Sequence, residues 1–239
     1  LSIFTLCFAG VPAVIVSLLA LGKPSGRGTA VAGLVLGLLG TVAGLGLGVY
    51  GYFEGTKRVR QAAARMSDAN NLKQVGLALH NDMFAYDAFS GPYVRSTGFD
   101  NKPNTGLSWR VGLLPHLEHE SLSRKFNMRE SWDSPANRAA SDTPVKVYTS
   151  PFDGPPGYAS VNTPYRVFYG GGAFFNEDGS PVRVGAVSDG MSNTILVVHA
   201  AEQVPWAAPR DFKYSAATPL PKLGHPDMRG GTQAVLADG

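Results

Sequence analysis

Apolar and small residues recur in steps of three or four between residues 59 and 89, with mostly polar residues between them. The positions on this stripe are Val59, Ala62, Met66, Ala69, Leu72, Gly76, Leu79 and Met83. Such a period places them on one face of an α-helix. Residues 56–90 are therefore predicted to form an amphipathic spine helix. The side chains predicted to be buried against the remaining domain are Leu72, Val75, Leu79 and Met83, while Lys73 and Gln74 are expected to face solvent.

Two long uncharged stretches precede this helix, at residues 1–22 and 28–53. A membrane-spanning helix needs about 20 apolar residues, so both stretches are long enough. The polar turn Gly-Lys-Pro-Ser-Gly-Arg separates them. We therefore predict a two-helix transmembrane hairpin over residues 1–55. A signal peptide is the alternative for the first stretch, and the short distance to the second stretch disfavours it.

Glycines recur, mostly four residues apart, along the second apolar stretch: Gly33, Gly37, Gly40, Gly44 and Gly48. Small residues at this spacing let helices in membranes approach each other closely. We expect this face to pack on the first span or on another subunit. Because no proline interrupts the sequence, the second span is predicted to continue as one helix from about Thr29 to about Met83.

Residues 91–239 are predicted to form the head, an α+β domain with a mostly antiparallel sheet. A short strand at Leu107 is expected, followed by a helix that begins near Pro115. Later segments predicted as strands are VKVYTS, YRVFYGGG, the apolar run that ends in NTILVVHA, and QAVLADG. The fold class is therefore α+β: a membrane helical hairpin, a long spine helix and a mostly antiparallel, β-rich head.

The overall charge and the cysteine content argue against two properties of the protein, nucleic-acid binding and an internal disulfide. A formal net charge of +3 is too small and too scattered to indicate nucleic-acid binding. The one cysteine, Cys7, lies in an apolar run, so an internal disulfide is excluded.

Six sequence blocks carry a resemblance to a known family. They occur in the order NNLKQVGLALHN, SWRVGLLPHLEHESL, ESWDSPANRA, SDGMSNTILVV, VPW and PLPKLGHP. Together they resemble the planctomycete-type family of uncharacterised prepilin-like proteins with a type II secretion pseudopilin G-like head. That family typically ends in a histidine, a spacer of nine residues and Asp-Gly. Here the spacer from His225 to Asp238 has twelve residues. The hairpin resembles a different small two-span domain.

Two places in the sequence offer candidate metal ligands. His116 and His119 lie beside Glu118 and Glu120 and could offer ligands on one helical face, but a solvated helix surface is the preferred interpretation. The resemblance implies a calcium site near the end of the chain, where carboxylates supply hard oxygen ligands. The carboxylates that match this expectation are Asp189 and Asp238.

No catalytic or cofactor-binding residue is predicted. Ser192, Asp189 and His199 contain the atoms of a hydrolytic triad, but Ser192 follows an Asp-Gly turn and lacks the Gly-x-Ser-x-Gly context. A hydrogen-bonding role in the turn is the preferred interpretation. Trp109, Trp132 and Trp206 are expected in the core, and two of them exposed along one groove would favour carbohydrate binding.

The sequence thus predicts a membrane-anchored, non-enzymatic structural or interaction protein, a subunit of a membrane-associated assembly. The alternative is a solute- or glycan-binding module tethered to the membrane. The expected partners are the lipid bilayer and other membrane subunits or a second copy of the chain. The basic residues after the second span favour a cytoplasmic head, whereas the resemblance and the basic turn favour an extracytoplasmic one. We predict a multi-pass protein of the inner membrane with an extracytoplasmic head.

Overall fold

The computed structural model describes residues 11–19, 27–93, 106–155, 157–228 and 230–239. The chain divides into two compact units, Leu1–Ala62 and Ala63–Gly239. We call the second one the head unit. It contains the C-terminal part of the long helix, so this part of the predicted spine belongs to the same unit as the head.

Helices come first along the chain and strands come later. Helix α1 is described over residues 11–19, and α2 covers Arg27–Tyr86. The remaining helices are single turns: α3 at Trp109–Gly112, α4 at Glu120–Ser123 and α5 at Arg138–Ser141. The strands are β1 at Asn162–Arg166, β2 at Phe168–Tyr169, β3 at Ile195–Pro205, β4 at Phe212–Lys213 and β5 at Ala234–Leu236.

Helix α2 is uninterrupted at the place where the predicted membrane span meets the predicted spine. No proline occurs within Arg27–Tyr86, and the helix continues through Glu54 and Gly55. It ends where Asp87 adopts a left-handed conformation, with φ of 58°. Among the described residues, one helix, bounded as Gly28–Tyr86, is long and apolar enough to cross a membrane. A signal sequence near the N-terminus meets the same criterion of length and composition.

The first unit shows close packing at one of the predicted glycines. A Cβ atom at Gly33 would lie 2.5 Å from Oγ of Ser17, a buried residue of α1. Glycine at this position therefore lets the two helices approach. The other four divide into two pairs: Gly37 and Gly44 are buried, whereas Gly40 and Gly48 would meet no atom of the described residues within 4 Å. Residues 1–10 and 20–26, including most of the predicted polar turn, lie outside the described residues, so the hairpin stays a prediction.

The head unit has the α+β architecture with an antiparallel sheet. Its main sheet has the strand order β1-β3-β5, and both pairings are antiparallel. Tyr165 of β1 lies opposite His199 of β3. Strands β2 and β4 form a separate parallel pair. The predicted strand at QAVLADG is β5, whereas VKVYTS was predicted wrongly, since Lys146–Tyr148 is a 3₁₀ turn.

The strand predicted at Leu107 is wrong as well. The Ser108 hydroxyl caps α3 by accepting a hydrogen bond from the Arg110 backbone N–H at 3.3 Å. A 3₁₀ helix follows at Leu114–Leu117, and Pro115 lies at its start. The cap and the proline thus favour helical turns over an extended strand.

Helix α2 contributes one side of the head core. Leu72, Val75 and Leu79 are buried and Met83 is partly buried against the core, whereas Lys73 and Gln74 are exposed. Strand β5 reaches the helix closely, since a Cβ atom at Gly76 would lie 2.9 Å from Cγ1 of Val235. The core is rich in aromatic rings, among them the stacked pair Tyr148 and Trp206.

Replacing Leu79 by alanine tests the role of α2 in this core. Leu79 is 1% exposed and Leu77, on the same helix, is 64% exposed. We expect Leu79→Ala to lower the free energy of unfolding by about 2–5 kcal/mol, because the truncation leaves a cavity. The matched control Leu77→Ala is expected to leave it nearly unchanged. Urea unfolding followed by tryptophan fluorescence measures both, and equal effects of the two substitutions would contradict the packing described here.

Candidate functional site

A buried ion pair connects distant parts of the head unit. Arg110 Nη2 lies 2.9 Å from Oδ1 of Asp211, and the two side chains are 0% and 2% exposed. Asp211 also accepts hydrogen bonds from the Trp109 indole N–H at 3.2 Å and from the Val167 backbone N–H at 2.9 Å. The carboxylate is therefore compensated by one positive charge and by two further donors.

The guanidinium of Arg110 is satisfied in the same way. Its Nε donates to the Tyr165 carbonyl at 2.9 Å, and its Nη1 donates to the Ser108 hydroxyl at 2.6 Å. The backbone carbonyl of Arg110 accepts from the Tyr148 hydroxyl at 2.8 Å. These bonds join α3 to β1, so the pair has a structural role.

A second buried polar cluster lies between α2 and the main sheet. The Asp68 carboxylate accepts from the Tyr165 hydroxyl at 2.7 Å, and its two oxygens lie 2.9 and 3.0 Å from Nδ1 of His199. The Asn71 amide donates to the Tyr165 hydroxyl at 3.3 Å and to the Thr149 carbonyl at 3.1 Å. Burial, together with the negative charge of Asp68, raises the pKa of Tyr165 well above its usual value, so its hydroxyl stays a donor.

The triad considered from the sequence is not assembled. His199 pairs with Asp68 on α2 and not with Asp189. Ser192 belongs to the 3₁₀ turn Met191–Asn193, where the Asn193 amide donates to the Asp189 carbonyl at 3.1 Å. Ser192 therefore lies in a turn, and the side-chain hydrogen bond across this turn is donated by Asn193.

The two carboxylates considered as calcium ligands lie at the surface of the head unit. Asp189 and Asp238 are exposed, and Asp189 lines an open cavity of about 700 Å³. Over the described ranges, no three side chains of histidine, cysteine, aspartate or glutamate are grouped to hold a metal ion. His225 stacks on the Phe152 ring and lies 3.6 Å from a carboxylate oxygen of Asp153.

His116 and His119 do not lie on one continuous helix face. The 3₁₀ turn Leu114–Leu117 contains His116, and α4 begins after His119. Glu118 lies between these two elements in a left-handed conformation, with φ of 63°. The interpretation of a metal site on one helical face is therefore wrong. Instead, Nε2 of His116 points to α2 and lies 3.7 Å from Oδ1 of Asp82.

A small cavity lies beside Asp82 in the head unit, and we call it the Asp82 cavity. Its volume is about 280 Å³. Asp82 is 6% exposed, and its Oδ2 accepts a hydrogen bond from the Ser90 hydroxyl. Among the residues that the structure describes, those lining the cavity are Leu79, Asp82, Tyr86, Ala88, Ser90, Tyr93, Trp109, Gly112, Leu113 and Pro181. A concave apolar site with one charged group is the usual form of a small-molecule site, so this is the candidate binding site.

One wall of this cavity is a neutral phenol. Burial first and the nearby charge of Asp178 second raise the pKa of Tyr93 to about 12. The Tyr93 hydroxyl donates to the Glu177 carbonyl at 3.1 Å. Tyr93 therefore brings an aromatic ring and no negative charge to the cavity at neutral pH.

The residues of these sites are not predicted from the sequence, although the sequence contains one indication of them. Asp68 and Asp82 follow the same steps of three and four as the buried Leu72, Val75 and Leu79. Carboxylates on the apolar side of a helix are rarely buried without partners, so their position indicates buried polar clusters. Met66, in contrast, follows the apolar pattern of the helix and is nevertheless exposed.

The fold and these sites define an α+β domain that is built on the C-terminal part of one long apolar helix and fixed by buried polar clusters. The chain belongs to the family described as Protein of unknown function (DUF1559), whose sequence model matches residues 57–233. No curated protein and no solved structure matches the chain.

Removing the charge of Asp211 tests the structural role of the first cluster. Asp211→Asn leaves the Arg110 guanidinium buried without its counter-charge, so we expect a loss of about 3–5 kcal/mol in the free energy of unfolding. The control is Glu120→Gln, which breaks the exposed pair between Glu120 and Arg124. We expect that substitution to change the free energy by no more than about 0.5 kcal/mol. Chemical unfolding measures both, and a tolerated Asp211→Asn would exclude a structural role of the pair.

Proposed function

We propose that the protein is a membrane-anchored, non-enzymatic structural or interaction protein, a subunit of a membrane-associated assembly with a pseudopilin-like head. The observation that carries the proposal is the distribution of exposed apolar side chains along α2. They surround the helix in the uncharged part of the chain, whereas in the head unit Met66, Leu77 and Phe84 lie on one face.

The N-terminal half of α2 supports membrane anchoring. Large apolar side chains are exposed there in many directions, including Val31, Val35, Leu36, Leu38, Leu39, Val42, Leu45, Leu47 and Val49. The exposed rings of Tyr50, Tyr52 and Phe53 follow, and basic residues begin at Lys57. Aromatic and then basic residues at the end of an apolar segment are typical of the membrane–water interface. With α1 as a second span, the chain would be a multi-pass protein of the inner membrane.

The head unit supports interaction with another subunit. Met66, Leu77 and Phe84 are exposed on α2. Their separations of eleven and seven residues correspond to about three and two helical turns, so they share one face. This face lies away from the buried Leu79, which makes it available to a second copy or to another membrane subunit. A pilin-like spine would assemble through such a face.

The alternative is a tethered solute- or glycan-binding module. The Asp82 cavity favours the solute version. The glycan version needs exposed paired tryptophans, and Trp109 and Trp206 are buried.

Site-specific photo-cross-linking tests the proposed assembly face. A photoreactive amino acid at Leu77 is expected to give a cross-linked product of higher mass in native membranes, because the stripe contacts a neighbouring subunit. The matched control position is Leu220, which is similarly exposed but lies elsewhere on the head unit. Mass spectrometry of the product separates a second copy of the chain from another protein. Absence of a product at Leu77 and Phe84, or an equal yield at Leu220, would contradict the proposal.

Cysteine labelling tests the proposed topology. In a Cys7→Ala background, Ala139→Cys adds a thiol at an exposed position of the head unit, and Ser25→Cys adds one in the predicted polar turn. With an extracytoplasmic head, a membrane-impermeant thiol reagent should label Ala139→Cys in intact cells with permeabilised outer membranes. Ser25→Cys should react with the reagent only after the cells are lysed. The reverse pattern would place the head in the cytoplasm.

A further inference from the structure

The Asp82 carboxylate is buried with little compensation. Ser90 gives it one neutral hydrogen bond, and the His116 ring nitrogen, at 3.7 Å, is beyond hydrogen-bond distance. The buried carboxylate of Asp211, in contrast, has a guanidinium and two further donors. Removing a carboxylate from water is costly unless charges or several donors replace the water. Asp82 therefore has unused capacity for a positive group, and it faces a cavity.

The walls of the cavity are suited to an organic cation. The rings of Tyr86, Tyr93 and Trp109 line it. Aromatic faces attract ammonium groups through their quadrupoles, and they also pack well on apolar groups. Leu79 and Leu113 add aliphatic surface. One carboxylate among aromatic and aliphatic walls matches a molecule that carries one positive charge on an apolar body.

The volume of the cavity and the ligand atoms around it narrow the class of molecule that it can bind. A volume of about 280 Å³ lies at the lower end of the range of small-molecule sites, so the occupant must be small. A metal ion would require at least three ligands of the usual types, and the part of the chain that the structure describes contains no such group. An ammonium ion needs only one carboxylate and a few acceptors.

We propose that the Asp82 cavity binds a small organic ammonium ion, with its charged nitrogen at the Asp82 carboxylate and its apolar body between Tyr86, Tyr93 and Trp109. This site goes beyond the proposed assembly role and does not depend on it, because the cavity lies within the head unit and is separate from the exposed stripe on α2.

Calorimetric titration of the full chain tests the proposal. The protein is kept in an uncharged maltoside detergent so that the micelles do not attract cations. Benzylammonium is the probe, benzyl alcohol is its neutral counterpart, and benzoate is the anionic one. We expect benzylammonium to bind at one site at least about ten-fold more tightly than benzyl alcohol, and benzoate to show no binding, since a buried carboxylate repels it.

Two aspartate variants form a matched pair. Asp82→Asn should weaken benzylammonium binding at least about ten-fold and remove the preference over benzyl alcohol. Asp87→Asn removes a carboxylate five residues away that does not line this cavity, and asparagine tolerates the left-handed conformation found there. We expect Asp87→Asn to bind benzylammonium like the unmodified chain.

A third variant keeps the test decisive if Asp82→Asn does not fold. Tyr86 is 71% exposed and outside the core, so Tyr86→Ala should fold normally. Because this variant removes one aromatic wall, its affinity for benzylammonium should fall roughly three-fold. The proposal is overturned by equal affinities for benzylammonium and benzyl alcohol, by full binding in a folded Asp82→Asn, or by no saturable binding of benzylammonium. When Asp82→Asn is unfolded, unchanged affinity in Tyr86→Ala overturns it.

Discussion

The cost of removing charge from water is the constraint on which the head unit depends. Arg110 can be fully buried because Asp211 and several oxygens replace its water shell. Tyr165 connects this pair to the second cluster, since its carbonyl accepts from Arg110 and its hydroxyl donates to Asp68. Each bond leaves a buried group unsatisfied if its partner moves. The clusters therefore fix where β1 lies relative to α3, α2 and His199 of β3, which apolar packing alone would leave less sharply defined.

The parts of the fold that were predictable from sequence are those with local signals. Helix α2 has a long stretch without proline, and β3 has a run of β-branched and apolar residues. Between residues 107 and 113, apolar residues alternate with others as in a strand, yet Arg110 in an alternate position is buried too. Its burial depends on Asp211, about a hundred residues away, and no local pattern contains that information.

The candidate site was hidden from sequence for the same reason. It combines Asp82, Ser90, Trp109 and Pro181, which come from four separate segments. The apolar pattern along α2 also does not separate buried from exposed positions by polarity alone. Asp82 is buried where the structure supplies polar neighbours, whereas Met66 is exposed on the opposite face. The two positions at which α2 deviates from simple amphipathicity thus lie at the cavity and on the exposed stripe.

The close approach of Gly76 and Val235 has a consequence for how the chain folds during synthesis. The helix residue leaves the ribosome some 160 residues before its partner on β5. Until that strand is made, the part of the helix around Gly76 lacks the strand that covers it, and β3 at the centre of the sheet has one of its two neighbours, β1. Contacts so distant in sequence form slowly, because a long loop must close first. The nascent head is therefore expected to depend on chaperones until β5 has emerged.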